Sequence, residues 1–114
     1  MPVTGEDVRR VALALPRVTE HLVRDRARFR VGRLVFVSLS ADETTMGFGY
    51  PKEERDGLVS AEPHRFQQPV ASDLRYNWVR ATLAELDHDE MKELVLDAWR
   101  MCVPKKVAAE HLGS

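Results

Sequence analysis

The stretch RARFRVGRLVFVSL, residues 26–39, constrains the fold more than any other part of this chain. Arg26, Arg28 and Arg30 alternate with Ala27, Phe29 and Val31, a period of two that suits a strand and not a helix. A second apolar run, Leu34 to Leu39, follows after only Gly32-Arg33. Glycine accepts the positive φ that the first central position of a type II′ turn requires, so the two runs predict an antiparallel β-hairpin. A bulged three-residue turn is the alternative. A two-residue turn sets Val31 opposite Leu34, Phe29 opposite Phe36 and Ala27 opposite Ser38 on a core-facing side. The other side then pairs Arg30 with Val35, Arg28 with Val37 and Arg26 with Leu39. Such a mixed face is stable without a partner, because arginine stems lie along apolar neighbours while their heads stay in water.

Helical signals bracket this hairpin. Thr4 with Asp7 resembles a capping box, and Val8, Val11, Ala12 and Leu15 follow at helical spacing, which predicts a helix over about 5–15. Pro16 stops it, since the residue before a proline is pushed out of the α region. A third strand is expected at about 44–49, and Pro51 opens a helix that runs to about 60. Residues 61–75, with Pro63 and Pro69, read as loop, and a fourth strand follows at about 76–83. Asp87 with Glu90 repeats the capping pattern and opens a long helix to about 102, with Met91, Leu94, Val95, Ala98 and Cys102 on one face. Pro104 ends or kinks it, and Val107, Ala108 and Leu112 suggest a last helical turn or two. The order α-β-β-β-α-β-α predicts an α+β domain, an antiparallel sheet with the N- and C-terminal helices packed on one face.

The 114 residues suit one compact domain, taken as 1–112, with Gly113-Ser114 set aside as native residues or an expression remnant. With a hydrophobic fraction of 44% and a charged fraction of 31%, the composition is that of an ordinary globular protein. One cysteine, Cys102, makes neither an intrachain disulfide nor a CxxC metal site and suits a reducing cytoplasm. Charged Glu6, Asp7, Arg9 and Arg10 interrupt any signal-peptide core, and no apolar run approaches a membrane span. A cytoplasmic protein is expected.

A net charge of −1 gives no overall reason to seek nucleic acid, yet the charge is unevenly placed. Residues 17–34 hold six arginines against Glu20 and Asp25, whereas residues 35–63 hold six acids against Lys52 and Arg55. Arginine's planar fork matches phosphate, and the hairpin uses arginine alone. The competing reading makes Arg26, Arg28 and Arg30 a solvated strand face that resists edge aggregation and pairs with nearby acids. Trp78 and Arg80 share strand parity. If they lie on the arginine side they form an aromatic and basic platform suited to nucleic acid; otherwise Trp78 fills the helix-side core with Arg80 snorkelling at its edge. Trp99 belongs to the core, and Arg100, Lys105 and Lys106 complement a helix C-terminus. His21, His64, His88 and His111 lie far apart without HxxxH or HExxH spacing, and the acids Glu53, Glu54, Asp87, Asp89, Glu90 and Glu93 read as helix-start and solvated charges, so no metal site is expected. Gly47-Phe48-Gly49 lacks the third glycine of a dinucleotide loop, and neither GxSxG nor a P-loop is present. Cys102 reads as an inert thiol. No catalytic constellation is readable, so neither an enzyme nor a cofactor is expected.

Five stretches together resemble the MmcQ/YjbR family of small bacterial proteins: ALALPRVTEH at 12–21, FRVGRLVF at 29–36, YPKEER at 50–55, NWVRATLAEL at 77–86 and DAWRMCVPKK at 97–106. The resemblance covers nearly the whole chain and implies a CyaY-like, frataxin-like fold with terminal helices on an antiparallel sheet. It also implies DNA binding, the usual description of the family. The features that match are Leu15-Pro16 and Glu20, Phe29 and Phe36, Trp78 and Arg80, Trp99-Arg100, and Pro104-Lys105. Family members often carry glycine where Arg17 and Asn77 stand here. The first expectation is therefore a non-catalytic DNA-binding protein that engages the phosphate backbone through Arg24, Arg26, Arg28, Arg30 and Arg33, with Trp78 and Arg80 as base or backbone contacts. The alternative is a protein-interaction or small anionic-ligand module, in which Val35, Val37, Leu39 and the arginines form an open sheet face.

Overall fold

The structure, a computed structural model, describes residues 3–113. It is an α+β fold, as the sequence predicts. Helix α1 (Gly5–Leu13) leads into four consecutive strands, β1 (Val18–Val23), β2 (Arg26–Val31), β3 (Leu34–Leu39) and β4 (Thr45–Gly49). Helix α2 (Lys52–Ala61), strands β5 (Phe66–Gln67) and β6 (Trp78–Thr82), and helices α3 (His88–Arg100) and α4 (Lys105–Gly113) complete it. The strands form one sheet in the order β1-β2-β3-β4-β6-β5, antiparallel throughout. Two strands exceed the expected order. β1 replaces what read as a connection after Pro16, and β5 lies within the expected 61–75 loop.

Local chemistry sets the element ends. Thr4 and Asp7 exchange both bonds of a capping box at α1, and Asp87 and Glu90 do the same at α3, so two orphan helix N–H groups are satisfied at each. Gly32 takes φ +61° while Arg33 stays outside the left-handed region, the combination a type II′ turn needs between β2 and β3. Arg24 and Asp25 join β1 to β2, and both have positive φ, +53° and +66°, as in a type I′ turn. Arg24 is therefore a turn residue and not part of the arginine face of β2. Arg17, where the family pattern favours glycine, holds φ +67°.

The hairpin register departs from the simple expectation. Val31 pairs with Leu34 and Arg30 with Val35, but Phe29 then meets Val37 and Arg28 meets Ser38, because a bulge between Phe29 and Arg30 leaves Phe36 as an extra residue in β3. Both Phe36 and Val37 are consequently buried, and the alternation beyond them is inverted. Val37 and Leu39, expected on the open face, belong to the core, and Ser38, expected in the core, turns outward. Only Val35 of the three aliphatics stays with the arginines.

Helices α1 and α3 cover one face of the sheet. Phe29, Phe36, Val37, Leu39, Met46, Phe48, Val79 and Ala81 meet Val8 and Ala12 of α1 and Met91, Val95, Ala98 and Trp99 of α3. Trp99 is fully buried, and its Nε1 donates to the carbonyl of Pro16 at 3.0 Å, tying α3 to the chain entering β1. Arg9 of α1 bonds Glu20 of β1 through Nε at 3.0 Å and also reaches Glu6 and Glu43, so Glu20 is occupied on the helix side. α4 folds back so that His111 lies edge-on to Trp99 at 5.3 Å. It runs through Gly113, one residue past the expected domain end, and Ser114 lies outside the described residues.

Candidate anion-binding groove on the open sheet face

Antiparallel registers across the sheet place one row of residues on the face opposite the helices: His21, Arg28, Ser38, Gly47, Arg80 and Gln67, from β1 to β5. Trp78, two residues before Arg80, takes the same face. A Cβ built on Gly47 would lie 2.7 Å from Trp78 Nε1 and 2.8 Å from its Cζ2, so the indole occupies the space above the glycine. Of the two placements open for Trp78, the structure takes the one beside the arginines. The aromatic and basic side chains that the sequence could only join conditionally are on one surface.

A groove of about 740 Å³ runs over this surface. Arg26, Arg28 and Arg33 of the β2–β3 hairpin line one end, and Trp78, Arg80, Tyr76 and Asp73 line the other. Arg24, in the β1–β2 turn, stands outside it. Arg30 shares the face, opposite Val35, yet it also lies outside the lining, and its Nε is buried without a hydrogen-bond partner. Five of the seven expected contact residues thus converge. Among the described residues, Arg26, Arg28, Arg33 and Arg80 form no ion pair; Arg80 Nε donates instead to the Gln68 carbonyl at 2.8 Å. Four nearby acids are committed elsewhere, and Asp73, at the aromatic end of the lining, forms no ion pair among the described residues. Glu20 and Glu43 bind Arg9, and Glu62 and Glu90 bind Arg65. The arginine face is therefore not the self-paired surface that the competing reading required. Guanidinium groups held together without ion-paired carboxylates create a local positive potential that the net charge conceals.

Residues 69–78 form the wall at the aromatic end, and Arg55 holds that wall in place. Its guanidinium, on a residue only 7% exposed, donates from Nη1 to the carbonyls of Tyr76 (3.0 Å) and Trp78 (3.2 Å) and from Nη2 to that of Leu74 (2.8 Å). Asn77 adds a second tie: its Oδ1 accepts the Lys52 N–H at the start of α2, and its own carbonyl accepts the Tyr50 N–H. A glycine at 77 has no such side-chain cap. Pinned by these bonds, the wall exposes Tyr76, over whose ring Arg75 stacks at 4.9 Å, together with Val70 and Leu74. The groove is thus a preorganised concavity.

Sequence reasoning missed Arg55, Gly47, Tyr76, Asp73 and the hydroxyls of Ser38, Ser40 and Thr45 that complete the lining. Arg55 carried no signal beyond its place in YPKEER, because its partners lie roughly twenty residues downstream. Ser38 was assigned to the wrong face by a bulge that no turn residue announces. Elsewhere, burial pushes the Cys102 thiol above its ordinary pKa, and the Tyr50 hydroxyl is raised for the same reason, so neither is an activated nucleophile. Among the described residues no group of three His, Cys, Asp or Glu side chains is placed to hold a metal ion. No helix of the described residues is long and apolar enough to cross a membrane.

No curated protein matches the sequence. The crystal structure of Deinococcus radiodurans protein DR2400, described by the domain DUF419, superposes with a TM-score of 0.74 at 22% identity, over 96% of this chain and 88% of that one. That likeness shows a shared fold. Residues 13–101, from the end of α1 through α3 and including the whole groove, match the model of the YjbR family. The chain belongs to the YjbR family.

Proposed function

We propose that the open sheet face binds nucleic acid through its phosphates, with Arg26, Arg28, Arg33 and Arg80 as the cationic contacts and Trp78 as an aromatic surface for a base. One observation carries this reading: four arginines without carboxylate partners converge on a groove whose floor is an indole. Phosphate neutralisation by arginine and base stacking on an aromatic ring are the two terms that bind nucleic acid without a catalytic group. DNA is the form implied by the family resemblance, in a cytoplasmic, non-catalytic protein. Arg24 and Arg30 are assigned at most long-range electrostatic roles.

Fluorescence anisotropy with labelled DNA, titrated with salt, tests the reading. Binding should weaken steeply with ionic strength. Reversing Arg26, Arg28 and Arg33 together to glutamate should abolish it and flatten the salt slope, since each phosphate contact contributes about 0.7–0.9 to that slope. Reversal of Arg24 should have a smaller effect, because it lies outside the lining. Unchanged binding in a triple variant that still melts cooperatively would refute the proposal. A second reading is favoured by the concavity itself, because about 740 Å³ falls within the range of small-ligand pockets. A small anion or an acidic protein segment would then occupy the same arginines, and it would bind while DNA stays at background.

A further inference from the structure

Resting on that reading, we infer that the groove is built for a single strand and not for a duplex, with an unpaired base on Trp78 and the flanking phosphates on the arginines of β2. The geometry points to this in three ways. Trp78 lies on the floor of the groove, above Gly47 of an inner strand. A duplex keeps its base faces stacked inside and offers only base edges in its grooves, which protruding helices or ribbons read. A recessed indole meets only a base that has left its stack.

Spacing supplies the second argument. Arg28 and Trp78 stand on β2 and β6, with β3 and β4 between, and the indole reaches back to lie above Gly47 of β4, two strand steps or about 10 Å from β2. In the row between Arg28 and the indole stands only the Ser38 side chain, a small hydroxyl. That span fits a base on the indole with its flanking phosphate at the arginines of β2, an arrangement open to a strand with an unpaired base and closed to a stacked duplex.

Polarity supplies the third. The hairpin end of the groove holds Arg26, Arg28 and Arg33, while the aromatic end carries one arginine, Arg80, its Nε bonded to the Gln68 carbonyl, and the carboxylate of Asp73 with Tyr76 and Trp78. A carboxylate repels phosphate but accepts hydrogen bonds from the exocyclic amino group of a base, most directly cytosine N4. The Trp78 indole N–H, above Gly47, has no hydrogen-bond partner among the described residues. Phosphates are thereby drawn mainly to the β2 end, where three of the four arginines stand, and a base to the β6 end, and bases bearing an amino group are preferred.

The test compares a labelled single strand of about 12 nucleotides, the same sequence as a duplex, and a nucleoside triphosphate, all with the full chain at low salt. The single strand should bind at least tenfold more tightly than the duplex. Trp78→Ala should lose about 5- to 150-fold on the single strand, the effect of one stacked base, with little change on the duplex. Trp78→Phe, which keeps an aromatic face, should retain most of the affinity and guards against a folding defect in the alanine variant. Asp73→Asn should narrow the preference for cytosine over thymine. Equal binding of duplex and single strand, indifferent to Trp78, would overturn the inference while leaving the phosphate-binding reading intact. A triphosphate that binds as tightly as the oligonucleotide would also overturn it, in favour of a free nucleotide. No salt-sensitive binding of any oligonucleotide would remove both.

Discussion

Replacing Gly47 by alanine should destabilise the protein, and the same replacement should stabilise it once Trp78 has been removed. The added Cβ would lie 2.7 Å from Trp78 Nε1, 2.8 Å from Cζ2 and 2.9 Å from Ser38 Oγ. Carbon contacts settle near about 3.5–4.0 Å, so the indole has to retreat by about 1 Å. It cannot take its backbone along, because the Trp78 carbonyl accepts from Arg55 and its strand pairs with β4 at Gly49. Overpacking of this kind costs about 1–3 kcal/mol. Alanine in place of a strand glycine recovers about 0.5–1 kcal/mol of backbone entropy, leaving a net loss of about 0.5–2 kcal/mol. For a domain of this size that is a fall in Tm of about 2–8 °C. In the Trp78→Ala background the obstacle is gone, the Ser38 hydroxyl rotates aside, and the entropy gain of about 0.5–1 kcal/mol remains. Urea denaturation of the parent, both single variants and the double variant, followed by far-ultraviolet circular dichroism, measures a coupling of about 1–3 kcal/mol. If Gly47→Ala were neutral or stabilising in the parent, the indole would not lie above Gly47 and the groove floor described here would be wrong.

Other consequences are equally direct. Arg17→Gly should stabilise the protein by about 1 kcal/mol, since a left-handed φ of +67° is strained for arginine and free for glycine; a drop in Tm would count against that backbone conformation. Arg55→Met removes three bonds to the carbonyls of Leu74, Tyr76 and Trp78 and should cost about 2–4 kcal/mol. Amide exchange within residues 69–78 should accelerate more than exchange in α1, and equal acceleration in both would show that Arg55 has no particular hold on the wall. The carboxyl of Asp7, bonded by the Thr4 backbone N–H and hydroxyl, and that of Asp42, bonded by Ser40 and Thr44, are held below their ordinary value of 3.8. Their folded pKa values lie below the unfolded ones, so this stability is complete above about pH 4 and is lost as pH falls through the folded values. The acid limb of a Tm-against-pH profile should accordingly flatten in an Asp7→Asn, Asp42→Asn double variant; an unchanged limb would assign acid unfolding to other groups.

Much of this was legible in the chain because the causes are local. Thr4 with Asp7 and Asp87 with Glu90 are capping boxes whose partners stand three positions apart, and Gly32 alone sets the β2–β3 turn. The parity of Trp78 and Arg80 follows from strand geometry whatever surrounds them. β1 escaped notice for an equally physical reason. VTEHLV is an edge strand at the margin of the helix cover, tied to α1 through Glu20 and Arg9, so none of its residues is fully buried, Leu22 is 73% exposed, and its period-two signal is weak. Its turn, Arg24-Asp25, lacks the glycine or asparagine that usually marks a type I′ bend.

What tertiary structure alone decided is which side of the sheet each pattern faces. Phe36 and Val37 read as neighbours on opposite faces until pairing with β2 and β4 makes one of them a bulge, and that single extra residue exchanges Ser38 for Val37 on the open side. The arginines of β2 meet Trp78 only through two intervening strands. Arg55 finds its carbonyl partners only after α2 has packed against β6. Sequence alone determined that this chain has a basic strand face and an aromatic strand residue, since period and charge are written along a single strand. Their union in one groove depends on contacts between distant segments, which no local pattern encodes.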